Sequence, residues 1–433
     1  MQIRRNTLFS LAQLIVLRIP NIVVFILLSH TLGSEAAGEF SLAITYALIL
    51  SAWWVGMDEW LIRIVASQRF EDGQVETVIG HYLLQRILVA TGLLLGLAVL
   101  LWGAVQLGLY PITRVFYLVF FVASVIPDAA TNVIQAGLVG RENFVNSFVV
   151  SFLQTALKLS CLTVAVLTSR QAIWIAVSWS IASFVHCAIV LVVFRTLWKL
   201  TSKRKIPTVT TEEQISSLGQ TFSKRWPYLV IGIAATLEYQ VDVILLSVLQ
   251  PIHQVSYYSV ATTIFSTATM PLQALRTVIF PFMARVMGQS KTSVITATTN
   301  PSFELNRIYY SALRWTLFMA VPIVIAIWIT APWLVPLVFG TQMSVSAHMV
   351  QIIIIALVPF ALNIPQSRYL LASGHQQRVA YLISTTVILN FIVNLLLIPR
   401  YGALGAAITR NLSTSVFLCI SAFSVISSST WRN

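Results

Sequence analysis

The sequence predicts an all-α integral membrane protein: twelve transmembrane helices in two pseudo-symmetric six-helix lobes around a central polar cavity. Three observations lead there. Of 433 residues, 57% are hydrophobic and 9% charged, with a mean hydropathy of +0.83, against about 25% charged in soluble chains. Apolar runs of the roughly 20 residues needed to cross a bilayer recur along the whole chain. The two halves of the chain also repeat one another.

The runs fall at about 8–31, 40–58, 83–107, 115–138, 146–168, 171–195, 227–250, 256–280, 311–330, 345–366, 379–398 and 403–425. The first is too long for a signal h-region and has no small-residue cleavage site after it, so it is read as a retained helix. Residues 332–340 (PWLVPLVFG) are apolar but short and interrupted by proline. They are expected to form a re-entrant or interfacial piece after the ninth span. At an offset of 218, residues 26–43 and 244–261 coincide at six of eighteen positions. An even number of helices per half gives both copies the same orientation, related by an axis along the membrane normal. The expected organisation is an N-terminal lobe (1–200), a cytoplasmic linker (201–226) and a C-terminal lobe (227–433).

Lysine and arginine set the orientation. With the N-terminus inside, seventeen fall in inner segments and three (Arg114, Arg170 and Arg400) in outer loops. Both termini are therefore expected in the cytoplasm. The formal charge of +13 is spread through loops, which speaks against a nucleic-acid partner. The Lys203–Lys205 cluster is read as an orientation signal or a contact for anionic membrane lipids.

Seven charged residues lie inside the spans: Arg18, Asp128, Lys158, Glu238, Asp242, Arg276 and Arg410. Arg276, near the inner boundary, can snorkel. At roughly 3 kcal/mol per central charge, facing all seven to lipid would cost on the order of 20 kcal/mol, more than typical net stability. Polar stripes at helical spacing accompany them. Arg18 and Asn21 share a face around Pro20; Asp128, Asn132 and Gln135 line up on the fourth span, and Ser147, Ser151, Gln154 and Lys158 on the fifth. Glu238 and Asp242 sit one turn apart on the seventh, and Thr262, Ser266, Thr269, Gln273 and Arg276 line the eighth. Thr386, Asn390 and Asn394 recur on the eleventh, and Arg410 and Thr414 on the twelfth. Stripes on both halves predict a water-filled cavity.

Two readings stay open for several of these charges. Glu238 and Asp242 are coupling or gating groups, or structural partners of an arginine in the other half. Lys158 and Arg18 are anion ligands or interlobe partners. Asp128 leans structural, since its amide neighbours can satisfy it. Asp58 and Glu59 are expected at an inner boundary, and Gly92 and Gly96 form a GxxxG whose ordinary use is packing.

Motif absences exclude several functions. GxxxxGK[ST], HExxH, GxSxG and CxxC are missing, so no nucleotide hydrolysis, zinc peptidase or thiol redox chemistry is expected. The three cysteines all lie in apolar spans and suggest neither disulfides nor a metal site. An embedded sugar transferase using Glu35 and Glu39 is disfavoured, because acids at such a turn are usually solvated and no large outer domain exists to hold an acceptor. No enzyme activity, cofactor or metal is expected.

Several stretches in order, GSEAAGEFS (33–41), GLVGRENF (137–144), VDVILLSVL with YYSVATTIF (241–265), PLQALRTVIFPFMAR (271–285), LLASGHQQ (370–377) and NFIVNLLLIPRYGALGAAITRNLS (390–413), carry a resemblance. The chain resembles polysaccharide repeat-unit (O-antigen type) flippases of the multidrug/oligosaccharidyl-lipid/polysaccharide exporter superfamily. It departs from them at the outer turn Pro251–Ser256, which lacks a glycine before the Tyr-Ser pair. The resemblance implies a V-shaped transporter of the bacterial cytoplasmic (inner) membrane. It would move undecaprenyl-diphosphate-linked oligosaccharide from the inner to the outer leaflet, coupled to protons or sodium and with a polymerase or glycosyltransferases as partners. The diphosphate would be met by Arg18, Lys158 and Arg410, with Arg276 near the entrance, since guanidinium forks suit phosphate. Glycan hydroxyls would be met by Asn21, Gln154, Thr269, Gln273, Asn390 and Asn394, and Glu238, Asp242 and Asp128 would serve coupling or gating. The rival is an ion-coupled multidrug/cation antiporter of the same superfamily, disfavoured because the first span carries Arg18 rather than an acid.

Overall fold

The computed structural model describes residues 2–67, 72–140, 143–169, 171–201, 226–273, 275, 301–373 and 375–427. The expected linker and Arg276 lie outside the described residues, apart from the linker's end residues Thr201 and Trp226. All described elements are helical. They are α1 Gln2–Thr31, α2 Gly33–Ser67, α3 Asp72–Gln106, α4 Ile112–Val122, α5 Val125–Gly140, α6 Phe144–Thr168 and α7 Ala172–Thr201, then α8 Trp226–Leu249, α9 Ile252–Ala268, α10 Pro301–Phe339, a 3-10 turn Thr341–Met343, α11 Ser346–Ile355, α12 Leu357–Ala372, α13 Gln376–Tyr401 and α14 Ala403–Ser427. Over its described residues, each of the twelve expected spans coincides with a helix or a pair of helices. Ten stretches of the described helices are long and apolar enough to cross a membrane, and Ile15–Thr31 is a shorter apolar helix. Helices alone satisfy every backbone group without water, which is why apolar runs of this length adopt them.

The chain divides into two compact units, Met1–Ile233 and Ala234–Asn433, so the division falls within α8. In the first unit α1 and α7 pack on α6, α2 and α3 on α5, and α4 on α7; in the second, α13 packs on α14, α10 on α11 and α12, and α9 on α11. Outward apolar side chains such as Leu95, Val99 and Leu100 of α3 and Phe318 and Leu337 of α10 are largely uncovered, as lipid-facing residues are.

The repeat survives at the level of single bonds. At the offset of 218, the end of α1 (Thr31) matches the end of α8 (Leu249). The fourth and tenth spans are each broken into two helices, and their second halves begin at Val125 and Leu357. Each has a proline as its third residue, Pro127 and Pro359. Proline has no N–H for the carbonyl four residues back, so the helix is interrupted there. Ser124 N turns to the Phe121 carbonyl and Ala356 N to that of Ile353, which strands the carbonyls of Phe120 and Ile352. A side chain of another helix takes each one. The Ser180 hydroxyl of α7 donates to the Phe120 carbonyl, and Asn411 Nδ2 of α14 donates to the Ile352 carbonyl at 2.7 Å. These donors occupy the sixth and twelfth spans, equivalent places in the two halves.

Two sequence expectations are corrected. Residues 332–340 form no separate piece: α10 continues through Pro322, Pro332 and Pro336 to Phe339, as prolines inside membrane helices permit when neighbours re-satisfy the backbone. Gly92 and Gly96 pack against nothing, since a Cβ at either would meet no atom within 4 Å. Gly405 does mark a close approach: a Cβ there would lie 2.7 Å from the Leu397 carbonyl oxygen, where α13 turns back into α14. Gln250 and Gln254 hold that turn, Gln250 Nε2 donating to the Ile398 carbonyl at 3.0 Å and Gln254 Oε1 accepting from Ala403 N at 3.2 Å.

Candidate functional site

Each unit holds a polar cluster among its apolar helices, fully buried in the second unit and part-buried in the first. In the second unit the centre is Asp242 of α8, with no exposure at all. Its Oδ1 accepts from Asn394 Nδ2 of α13 at 2.6 Å, and its Oδ2 accepts from Arg410 Nη2 of α14 at 2.7 Å and from the Tyr258 hydroxyl of α9. Arg410 also donates to the Tyr239 carbonyl at 3.2 Å and lies over the Tyr239 ring, 4.8 Å from its centroid. Asn394 continues the chain to Asn390 Oδ1 at 2.9 Å, and Asn390 to the Ser413 hydroxyl at 3.3 Å. Four helices are thus tied through one carboxylate. Charge-assisted bonds of this kind are roughly twice as strong as neutral ones, and burial keeps water from competing for them.

In the first unit the centre is Asp128 of α5. Its Oδ1 accepts from Gln154 Nε2 at 2.9 Å and its Oδ2 from Lys158 Nζ at 3.0 Å, both on α6. Lys158 is 7% exposed, and its ammonium stands 4.6 Å from the centroid of Trp179 on α7, a cation–π contact. Below it, Gln135 bonds the Ser151 hydroxyl at 3.0 Å, and Ser147 bonds Gln13 of α1 at 3.2 Å. His186 Nε2 reaches the Val150 carbonyl at 3.0 Å.

The two clusters occupy different places under the repeat. At the offset of 218, Asp242 and Tyr258 correspond to Val24 and Phe40; aligning the starts of α7 and α14, Arg410 corresponds to Trp179. In the first unit Phe40 and Trp179 meet edge to face at 5.7 Å, and Trp179 stacks on Phe121 at 5.0 Å. The same core position is therefore aromatic in one unit and ionic in the other.

These contacts sort the expected site residues. Asp242, Arg410, Asn390 and Asn394 come together, as do Asp128, Gln154 and Lys158. Arg410 and Lys158 each face a carboxylate of their own unit, Asp242 and Asp128. Glu238 is half-buried one turn before Asp242, with Arg410 and Asp242 as its electrostatic neighbours and no hydrogen bond among the described residues. Arg18 and Asn21 are half-buried on α1. Thr269 and Gln273 bond to each other at 2.9 Å, and the Thr269 hydroxyl donates to the Ser266 carbonyl at 2.7 Å. Thr262 and Ser266 likewise donate to carbonyls of their own helix. The hydroxyl stripe of the eighth span therefore does not by itself require water.

Three charged residues carry more than the sequence suggested. Arg86 of α3 is 4% exposed; it pairs with Asp58 of α2 and lies 5.7 Å from the Trp54 ring centroid. Asp58 is thus an ion-pair member rather than a merely interfacial acid. Glu39 is not a solvated loop acid but a residue of α2, whose Oε1 accepts from Arg114 Nε at 2.6 Å. Cys161, Cys187 and Cys419 are free thiols. Among the described residues, no group of three or more His, Cys, Asp or Glu could hold a metal ion.

Comparison with known proteins adds the family. Among solved structures, the fold is similar to that of the lipid II flippase MurJ in an inward closed conformation, with a TM-score of 0.71, 14% identity, and 96% of this chain and 87% of that chain covered. It is similar to an inward-facing multidrug resistance MATE family transporter of the MOP superfamily, with a TM-score of 0.70, 14% identity and coverage of 97% and 93%. A Vibrio cholerae MATE transporter gives a TM-score of 0.63 at 15% identity, with coverage of 99% and 100%. At such identities the likeness is one of fold. No curated protein sequence matches the chain. The profile of the family described as polysaccharide biosynthesis protein matches residues 3–287, about two thirds of a chain built of membrane-spanning helices, and the chain is a member of that family.

Proposed function

We propose that the protein is a secondary transporter that flips an undecaprenyl-diphosphate-linked oligosaccharide from the cytoplasmic to the outer leaflet by alternating access. One observation carries this reading. A member of a polysaccharide biosynthesis family is built, over its described length, of apolar helices. A glycan meets such helices in lipid-linked form. The lipid tail stays in the bilayer, and only diphosphate and sugar need polar surroundings. The substrate's destination, O-antigen or another surface polysaccharide, and its bacterial inner-membrane setting with both termini in the cytoplasm belong to this proposal. So does partnership with a polymerase or glycosyltransferases.

In this reading Arg18 remains a diphosphate ligand and Asn21 a glycan partner, while Gln154, Asn390 and Asn394 reach a glycan only by leaving the bonds they make inside the two clusters. Lys158 and Arg410 reach phosphate only by exchanging an aspartate for it. Glu238, next to a cation whose charge Asp242 already balances, is the group best placed to gain or lose a proton or sodium ion during the cycle. Deleting the gene tests the reading. Loss of surface polysaccharide, with lipid-linked oligosaccharide accumulating on the cytoplasmic face and drug tolerance unchanged, is expected.

A multidrug/cation antiporter is the second reading. The half-buried Glu238 favours it, since an acid inside apolar helices that makes no hydrogen bond among the described residues suits an organic cation. Unchanged polysaccharide with lowered drug tolerance in the deletion strain would select it.

A further inference from the structure

The first half of α10 carries a stripe that no role above uses. Arg307, Tyr310, Ser311, Arg314, Trp315 and Phe318 recur at helical spacing and line an open groove of about 690 Å³. Neither Arg307 nor Arg314 makes a hydrogen bond or ion pair among the described residues, and both are exposed. No carboxylate is among the six lining residues that are described. The two guanidiniums stand seven residues apart on one face, about 10 Å along the axis at 1.5 Å per residue, with the Tyr310 and Ser311 hydroxyls between them.

The floor is held in place by aromatic contacts. Tyr310 meets Tyr309 edge to face at 5.5 Å, and Tyr309 meets the fully buried Tyr369 of α12 at 5.6 Å. Trp315 meets Phe318 edge to face at 6.0 Å. The expected ninth span begins near residue 311, so Arg307 lies just outside it and Arg314 just within. Trp315 and Phe318 then reach the edge of the hydrocarbon. Arginines that only orient a helix need neither a concave surface nor hydroxyls between them.

We infer that this groove binds the diphosphate of a polyprenyl lipid at the cytoplasmic leaflet, a docking site for the substrate before translocation. Two forks a heptad apart suit two linked phosphates better than one: each guanidinium can take one phosphate in bidentate fashion. The Tyr310 and Ser311 hydroxyls donate to the oxygens between, and Trp315 and Phe318 cover the first units of the prenyl chain. The inference rests on the flippase reading and deepens it.

The test uses the full-length protein in phosphatidylcholine nanodiscs. Bound lipid is counted by native mass spectrometry with undecaprenyl diphosphate or phosphatidylglycerol as the added probe, and melting is followed alongside. With unchanged melting, and with Arg18→Ala present in both proteins so that binding there does not mask the groove, R307Q/R314Q is expected to bind undecaprenyl diphosphate about tenfold or more weakly than the protein that keeps Arg307 and Arg314, with little change for phosphatidylglycerol. R307K/R314K, which keeps charge but loses the forks, is expected to fall between. Wild-type binding of undecaprenyl diphosphate by R307Q/R314Q would overturn the groove assignment and leave the flippase reading standing. Equal loss of both probes would overturn the diphosphate assignment in favour of a general anionic-lipid contact. Failure of the wild-type protein to bind undecaprenyl diphosphate at all would remove the flippase reading together with this site.

Discussion

The Asp242–Arg410 pair can be taken apart in a double-mutant cycle. In Asp242→Asn the Arg410 guanidinium, 3% exposed, keeps its bond to the Tyr239 carbonyl but loses its counter-charge. In Arg410→Met the carboxylate keeps Asn394 and Tyr258 but loses its cation. Removing one member of a buried pair costs about 3–5 kcal/mol, because the other charge is left in a medium that solvates it poorly. Removing both leaves Asn beside Met, and the second substitution then repairs part of the first. The double variant should therefore be less destabilised than the sum of the singles, with a coupling energy of about 2–3 kcal/mol for groups in direct contact. Apolar and aromatic residues hold the equivalent place in the first unit, Val24, Phe40 and Trp179. The assay is thermal melting of the purified protein in detergent, with each single variant expected to melt several degrees lower. Strictly additive effects, or single variants that melt like the wild type, would refute the idea that this pair ties α8 to α14.

Three further outcomes are expected. Gly405→Ala should lower melting by an amount corresponding to about 1–3 kcal/mol, since its Cβ would meet the Leu397 backbone carbonyl at 2.7 Å; the same change at Gly92, which faces open space, should have almost no effect. Asn411→Leu should cost about 1–3 kcal/mol by stranding the Ile352 carbonyl; hydrogen exchange at the break between α11 and α12 should rise. Glu238→Gln should leave melting unchanged, because no hydrogen bond is lost, but should remove the dependence of flipping on the ion gradient in reconstituted vesicles.

The spans were legible because membrane thickness fixes the length of an apolar helix, and the repeat was legible at the α1–α2 hairpin. The breaks at 123–124 and 356 also had a signal in the sequence, the paired prolines Pro127 and Pro359. It was hidden because long apolar runs read as continuous. The prolines of α10 misled in the opposite direction: Pro332 and Pro336 look like a helix end, yet the helix passes through them. Charges inside spans pointed correctly to Asp242, Arg410, Asp128 and Lys158 as interior groups. Which charge meets which was not legible, because helices distant in sequence decide it: Asp242 and Arg410 are 168 residues apart. Hydroxyl stripes overstated the need for water, because serine and threonine can satisfy themselves on their own helix. Arg86 escaped notice because it lies near the start of a span, where an arginine ordinarily reaches water.

The central claim is movement of a lipid-linked oligosaccharide, and reconstitution tests it most directly. Purified protein is placed in vesicles carrying undecaprenyl-diphosphate oligosaccharide, and the fraction of glycan open to an added impermeant glycosidase is followed in time. Protein-dependent exposure of the inner-leaflet pool, abolished by Arg18→Ala, is the expected result. An inner pool that stays protected in the presence of folded protein, under both proton and sodium gradients, would contradict the account.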